Sequence, residues 1–242
     1  LLPGQAHLTD GAIDHTGMYV MHFAVRRDLD DLVGAVGSTP PDDAVRWRAL
    51  GSYWLLFDDL LHHHHVAEDD HYWPAVAAAV ERRGVPADHA TIAAMQVEHA
   101  RIGPSLDGCR SAVERVLTEP SPSAATDLLH HLTELRRIVV DHMAHEETEA
   151  LPLVDRVMTP SEHARVERAI GRSHPLRLMS RMVPWALHGL PPTTERQLLA
   201  TAGAPQRLLL RLGRGRFERG HRAAFARPVA ELALGSASPG SS

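Results

Sequence analysis

The sequence predicts an all-α protein: an antiparallel up-and-down four-helix bundle with a C-terminal helical extension. Three observations carry this expectation. Val/Ile/Thr alternation of the kind that marks strands is nearly absent. Long stretches rich in Ala, Leu, Arg and Glu recur at helical spacing. Breakers cut the first two-thirds of the chain into four long pieces with short connections, which is the pattern of an up-and-down bundle.

The first piece runs from about Asp14 to Val36 and stops at Gly37-Ser38-Thr39-Pro40-Pro41. The second begins at Pro41, a good first-turn residue, with Asp42 and Asp43 complementing the helix dipole. It passes through Trp54, Phe57 and Leu61 to Pro74 and continues raggedly to Arg83-Gly84. The third spans about Pro86 to Leu117, with a kink expected at Gly103-Pro104. The fourth follows Pro120-Ser121-Pro122-Ser123 and reaches about Val157, with Pro152 near its end. Thr159-Pro160-Ser161-Glu162 then opens a short helix, and Pro175–Trp185 and Thr194–Ala202 are two more candidates. An Arg/Gly-rich stretch from Leu210 to Arg216 follows. The expected organisation is a tail over 1–11, a bundle over 12–158, a basic helical extension over 159–234 and a disordered tail over 235–242.

Composition narrows the chemistry. Histidine is abundant, with 18 copies, against the single cysteine Cys109. One cysteine makes no internal disulfide, no thiolate zinc site and no iron–sulfur cluster. A metal would therefore be held by imidazole and carboxylate, a set that suits zinc, copper, iron or nickel. Cys109 itself reads as a small buried residue. Residues 1–162 hold 12 Arg and 26 Asp plus Glu, whereas 163–227 hold 13 Arg and 3 Glu. That asymmetry predicts that the basic extension docks on the acidic bundle. There it would close one end and shape a pocket beside any metals, and binding of nucleic acid is disfavoured. No apolar run reaches the roughly 18 residues of a membrane span. Leu1-Leu2-Pro3-Gly4 lacks the basic n-region of a signal peptide, so the expected location is cytoplasmic.

Two segments repeat one device. His64-His65-Val66-Ala67-Glu68-Asp69 ends at Tyr72-Trp73-Pro74, and His142-Met143-Ala144-His145-Glu146-Glu147 ends at Ala150-Leu151-Pro152. Each reads His-x-x-x-Glu, an acid directly after, and Pro six residues past the Glu. Residues four apart share a helix face, so one helix can offer a His and a Glu to one metal. Both lie on apolar stripes, where an uncompensated carboxylate costs several kcal/mol. His22 and His99 occupy apolar faces of the other two helices. The set His22, His64, Glu68, His99, His142 and Glu146 suffices for two metal ions bridged by the two carboxylates.

These six residues, with the repeated prolines, resemble the hemerythrin-like, or HHE cation-binding, family over roughly residues 12–158. The resemblance implies a bundle around a non-haem diiron centre, two Fe ions with an oxo or hydroxo bridge. Manganese or a mixed pair fits the same ligands. It implies O2, peroxide or nitric oxide as the small ligand, with room for a small organic substrate. The preferred reading is a diiron oxidase, oxygenase or peroxide-consuming oxidoreductase that binds and activates O2. The alternative is a non-enzymatic carrier or sensor of O2, nitric oxide or iron. Oxygen-carrying hemerythrins take a second histidine four residues after the first on helix three. Here that position is Gly103. One iron is then expected to keep an open position, unless His65, Tyr19 or Tyr72 fills it.

The remaining polar residues read more plainly. His62, His63, His130, His131 and His145 belong to the surface or to an outer shell. Glu98, Asp141 and Glu147 read as solvated helix faces in preference to partners of ligating histidines. Glu68-x-x-His71 matches half of a ferritin-like pattern, but position 149 is Glu, so that reading fails. The absence of His-Glu-x-x-His excludes a zincin.

Overall fold

The computed structural model describes residues 1–226. The expected tail over 235–242, and the last residues of the expected extension, lie outside them. The all-helical expectation holds: the described residues contain helices and no strand. None of these helices is long and apolar enough to cross a membrane.

Helix α1 spans Thr16–Ser38 and ends where Thr39 turns extended before Pro40. Helix α2 spans Ala44–Ala67. It starts three residues later than expected because Asp43 serves as its N-cap, its carboxylate accepting from the Arg46 amide at 3.0 Å. A π-helical turn, Glu68–Tyr72, leads into α3, Trp73–Arg83. Helix α4 spans Asp88–Thr118 and continues as one helix through Pro104. Helix α5, Pro122–His145, is capped by Ser121. A second π turn, Glu146–Ala150, leads into α6, Leu151–Val157. Helix α7, Pro160–Ser173, opens with a reciprocal capping box between Thr159 and Glu162.

Helices α8, Leu176–Leu187, and α9, Pro192–Thr201, lie close to the expected bounds. The Arg/Gly-rich stretch belongs to a helix of 22 residues, α10, Ala204–Phe225. Its glycines tolerate a helix because one face of α10 packs on α2 and α8, and tertiary packing overrides weak propensity.

The two π turns replace the ragged end expected of helix two and the uninterrupted run expected of helix four. In each, an amide reaches back five residues: Trp73 to the Glu68 carbonyl and Leu151 to the Glu146 carbonyl. Pro74 and Pro152 come next in the chain. Proline has no N–H to offer and its ring crowds the carbonyl four residues back. An extra residue in the preceding turn shifts the phase there. The wider turn also lets consecutive residues Glu146 and Glu147 both be fully buried.

Helices α1, α2, α4 and α5 close a ring of neighbours. Asp28 meets Tyr53, and the His22 and His64 rings lie 5.6 Å apart. Asp58 meets Arg110, and the His65 and His99 rings lie 4.4 Å apart. Arg115 meets Asp127, and His99 meets His142. Asp30 meets Arg136, and His22 meets Glu146. In every pair, higher numbers on one helix meet lower numbers on the next.

The larger apolar cluster includes Leu29, Trp54, Phe57, Leu61, Leu106 and Leu135. A smaller one includes Tyr72, Trp73, Val76, Met95 and Val154. The extension is part of the larger core: Leu178, Met182, Trp185 and Phe217 all belong to it. Asp28, fully buried, accepts from the Tyr53 hydroxyl at 2.9 Å and from the Trp185 indole at 2.6 Å through one oxygen. Its other oxygen takes the Arg27 guanidinium. Arg27 in turn donates to the Trp185 and His188 carbonyls. Arg181 adds an ion pair to Asp59 at 2.6 Å. The basic extension therefore docks on acidic bundle residues, with α7 against the first π turn and α8 and α10 along α1 and α2.

Candidate metal centre

Between the two apolar clusters, four helices deliver seven donor side chains to one place. They are His22 from α1, His64 and His65 from α2, and His99 from α4, with His142 from α5 and Glu68 and Glu146 from the π turns. Donor atoms of six of the seven fall into two groups. His65, Glu68, His99 and His142 form one; His22, His64 and Glu68 form the other, with the atoms of each within 4.8 Å of one another. Glu68 belongs to both: one oxygen is 3.3 Å from His64 Nε2 and the other 3.5 Å from His99 Nε2. Glu146 also touches a member of each group, with Oε2 at 3.0 Å from His22 Nε2 and 4.0 Å from His142 Nε2.

These groups cannot satisfy one another. Both oxygens of Glu68, both of Glu146 and His22 Nε2 are buried without a hydrogen bond. The close His22–Glu146 contact lacks hydrogen-bond geometry. Carboxylates fix the tautomers. His22 Nδ1 faces Glu147, His99 Nδ1 faces Asp69 and His142 Nδ1 faces Glu98, each at 2.8 Å. Carboxylates accept, so each Nδ1 carries the proton and each Nε2 presents a lone pair. Two such lone pairs, on His99 and His142, face each other at 3.1 Å. With neutral imidazoles and ionised carboxylates such a buried cluster offers only acceptors, and it is then stable around a cation. The residues present therefore fit a metal of the imidazole–carboxylate class.

Left to balance one another, the groups are driven apart. Burial and the Glu146 charge push Glu68 well above the carboxylate range. Burial acts upward on Glu146 too, but His22 and His142 outweigh it and hold Glu146 at about 2. Burial and the surrounding imidazoles push His64 down to about 3 and His65 well below its ordinary value. For His22, burial acts downward, but Glu146 and Glu147 prevail and raise it.

The acids around these histidines depart in part from the sequence expectation. Asp141 is exposed beside Arg137, as expected of a solvated face. Glu98 is not such a face: it holds both His142 and His145. Glu147 is fully buried and holds His22, Arg26 and the Ala6 amide. Asp69 was missed altogether. The repeat carried the signal, because the acid directly after each buried Glu engages a histidine of a neighbouring helix.

The three additional candidates separate. His65 joins the His99–His142 group. Tyr19 does not: its hydroxyl accepts from the Thr9 amide at 3.1 Å. The Tyr72 hydroxyl faces His163 Nε2 at 3.5 Å. A cavity of about 460 Å³ opens onto the site between α2 and α4, lined by His65, Asp69, Gln96, His99 and Gly103. A Cβ on Gly103 would meet nothing within 4 Å. The glycine that withholds a ligand thus leaves an approach to the centre.

His163 marks where the extension reaches this end. Burial, with His15 beside it, pushes it down to about 4, and burial with His221 does the same to His188. Both imidazoles fold in the neutral form, and the unfolded chain takes up protons first as pH falls. Their contribution is complete above the ordinary value of 6.5 and is lost as pH falls toward 4. Melting of the metal-free protein should fall across that window, and less steeply for His188→Leu.

Comparison with curated proteins and with solved structures finds no match. The family model for the hemerythrin HHE cation binding domain matches residues 16–154, which is more than half of the chain and includes all seven donors. The chain belongs to the hemerythrin HHE cation-binding family.

Proposed function

We infer that this chain holds a pair of iron ions in an up-and-down bundle formed by α1, α2, α4 and α5. His22 and His64 would hold one ion. His65, His99 and His142 would hold the other. Glu68 and Glu146 would bridge them. Bound there, an iron pair supplies redox chemistry toward O2, peroxide or nitric oxide. The carrying observation is that all four carboxylate oxygens of Glu68 and Glu146 are buried without a hydrogen bond among five converging imidazoles, with His99 and His142 Nε2 only 3.1 Å apart.

The protein's own part is positional. Asp69, Glu98 and Glu147 each orient one imidazole and raise its basicity. The two apolar clusters exclude bulk water from above and below, and the cavity beside Gly103 admits a small molecule from one side. That arrangement favours an oxidoreductase acting on a small oxidant. His65 favours a second reading, reversible carriage, because it completes a histidine-rich donor set.

Metal analysis with absorption spectra of the reduced and air-exposed protein tests this. Two irons per chain, with charge-transfer absorption appearing in air, are expected. A band that vanishes on deoxygenation identifies a carrier, and irreversible oxidation or peroxide turnover identifies an enzyme. Full metal content in His22→Ala and Glu146→Ala would overturn the assignment. Asp69→Asn should weaken metal binding about 10- to 100-fold, read by chelator competition, with helicity unchanged.

A further inference from the structure

A second cavity, larger than the one beside Gly103, lies away from the candidate metal centre. It measures about 860 Å³, lies between α2, α8 and α10, and includes none of the seven donors in its wall. Its nearest approach along α2 is Leu56, two helical turns before His64. That volume is in the range of small-molecule sites.

Its wall is largely apolar, with the Tyr53 ring, Leu56, Pro184 and Phe217, and the exposed Leu212 lies at its edge. Tyr53 spends its hydroxyl on Asp28, so the polar end of the phenol is already engaged. Glycines shape the space. At Gly213, a Cβ would lie 2.5 Å from the Ser180 carbonyl, so α10 and α8 nearly touch. Two turns later, a Cβ on Gly220 would meet nothing within 4 Å. The wall therefore closes at one end and opens at the other.

The rim is cationic. Arg177, Arg181 and Arg216 line the cavity and no carboxylate does. Arg181 is paired with Asp59. Arg177 and Arg216 are exposed and form no ion pair among the described residues. An apolar trough with two uncompensated guanidinium groups at its edge complements one chemical class, an anionic head on an aliphatic chain.

We propose that the cavity between α2, α8 and α10 is a binding site for a single-chain amphipathic anion, of which a long-chain carboxylate is the simplest. The aliphatic part lies along Leu56, Pro184 and Phe217. Arg216 and Arg177 take the carboxylate. This site is independent of the metal reading and stands whether or not iron is bound.

Titration of the full-length protein with a fluorescent long-chain carboxylate, cis-parinaric acid, tests it. Saturable one-to-one binding is expected, and the matching long-chain alcohol should bind about tenfold more weakly. Gly220→Leu, which fills the open end, should lower affinity by about tenfold or more, and Arg216→Glu by a similar factor with a weaker salt dependence. Metal content should stay at the wild-type value in both. Ala49→Leu fills the trough from α2 and serves if Gly220→Leu fails to fold. Absence of saturable binding, equal affinity in the filled and charge-reversed variants, or binding seen only with lipid vesicles present would overturn the proposal.

Discussion

Replacing Glu68 with leucine should stabilise the metal-free protein and at the same time abolish stabilisation by metal. The two effects have one origin. The Glu68 carboxyl is 2% exposed, neither oxygen has a hydrogen bond, and burial with the Glu146 charge holds it well above the carboxylate range. An apolar side chain of similar volume removes that cost, a gain of about 1–4 kcal/mol in comparable buried sites. Metal binding to the folded chain alone stabilises wild type by about 2.7 kcal/mol at a hundredfold excess over Kd. The variant should forfeit that gain, because Glu68 is the one donor common to both groups. Thermal melts with and without added Fe(II) under anaerobic conditions read both signs. A metal-induced rise in Tm that survives in Glu68→Leu would remove Glu68 from the centre.

Asp28→Ala should cost about 3–5 kcal/mol, although Asp28 lies outside the proposed metal centre. Its carboxylate is fully buried, and burial raises it above its ordinary value even against Arg27, Trp185 and Tyr53. Removing it leaves a guanidinium, an indole N–H and a phenol without their acceptor. Breaking such a network costs more than the network gains by forming. The loss falls on the seam between bundle and extension, since Trp185 belongs to α8. Denaturant unfolding should show the lower midpoint, and limited proteolysis should cut first between α7 and α10. Asp30→Ala provides the contrast. Asp30 pairs with Arg136 in solvent, and its loss should cost about 0.2–1 kcal/mol. Equal costs for the two substitutions would mean that the extension is held by apolar contact alone.

Much of this molecule could be read along the chain. Helical spacing and turn residues placed α1, α4, α8 and α9 and the starts of α2, α5 and α7 to within a few residues, while the expected second and fourth pieces each span two helices and a π turn. The repeated His-x-x-x-Glu, with His22 and His99 on apolar faces, picked out six residues that the structure gathers in one place, because ionisable groups on buried faces call for a counter-charge. The meaning of the repeated proline was not legible. It is spaced from Glu68 and Glu146 so as to follow a π turn, but a one-residue change of phase leaves no trace in a periodicity of 3.6. The α10 helix was missed for the opposite reason, since its glycines lower a propensity that contact with α2 and α8 restores.

The helical class, the family and an imidazole–carboxylate donor set were therefore legible in the sequence alone. Spacing within a helix depends only on local geometry, and ligand type depends only on composition. Tertiary structure decided everything that depends on distance between helices. It brought His65 into one group with His99 and His142 and turned the Tyr19 hydroxyl toward the Thr9 amide. It turned Asp69, Glu98 and Glu147 from candidate surface charges into the partners that fix three imidazoles. It also placed the larger cavity under the extension, away from the donors. An acid on a helix reads the same in sequence whether water or a histidine of the next helix lies opposite, and only packing chooses between them.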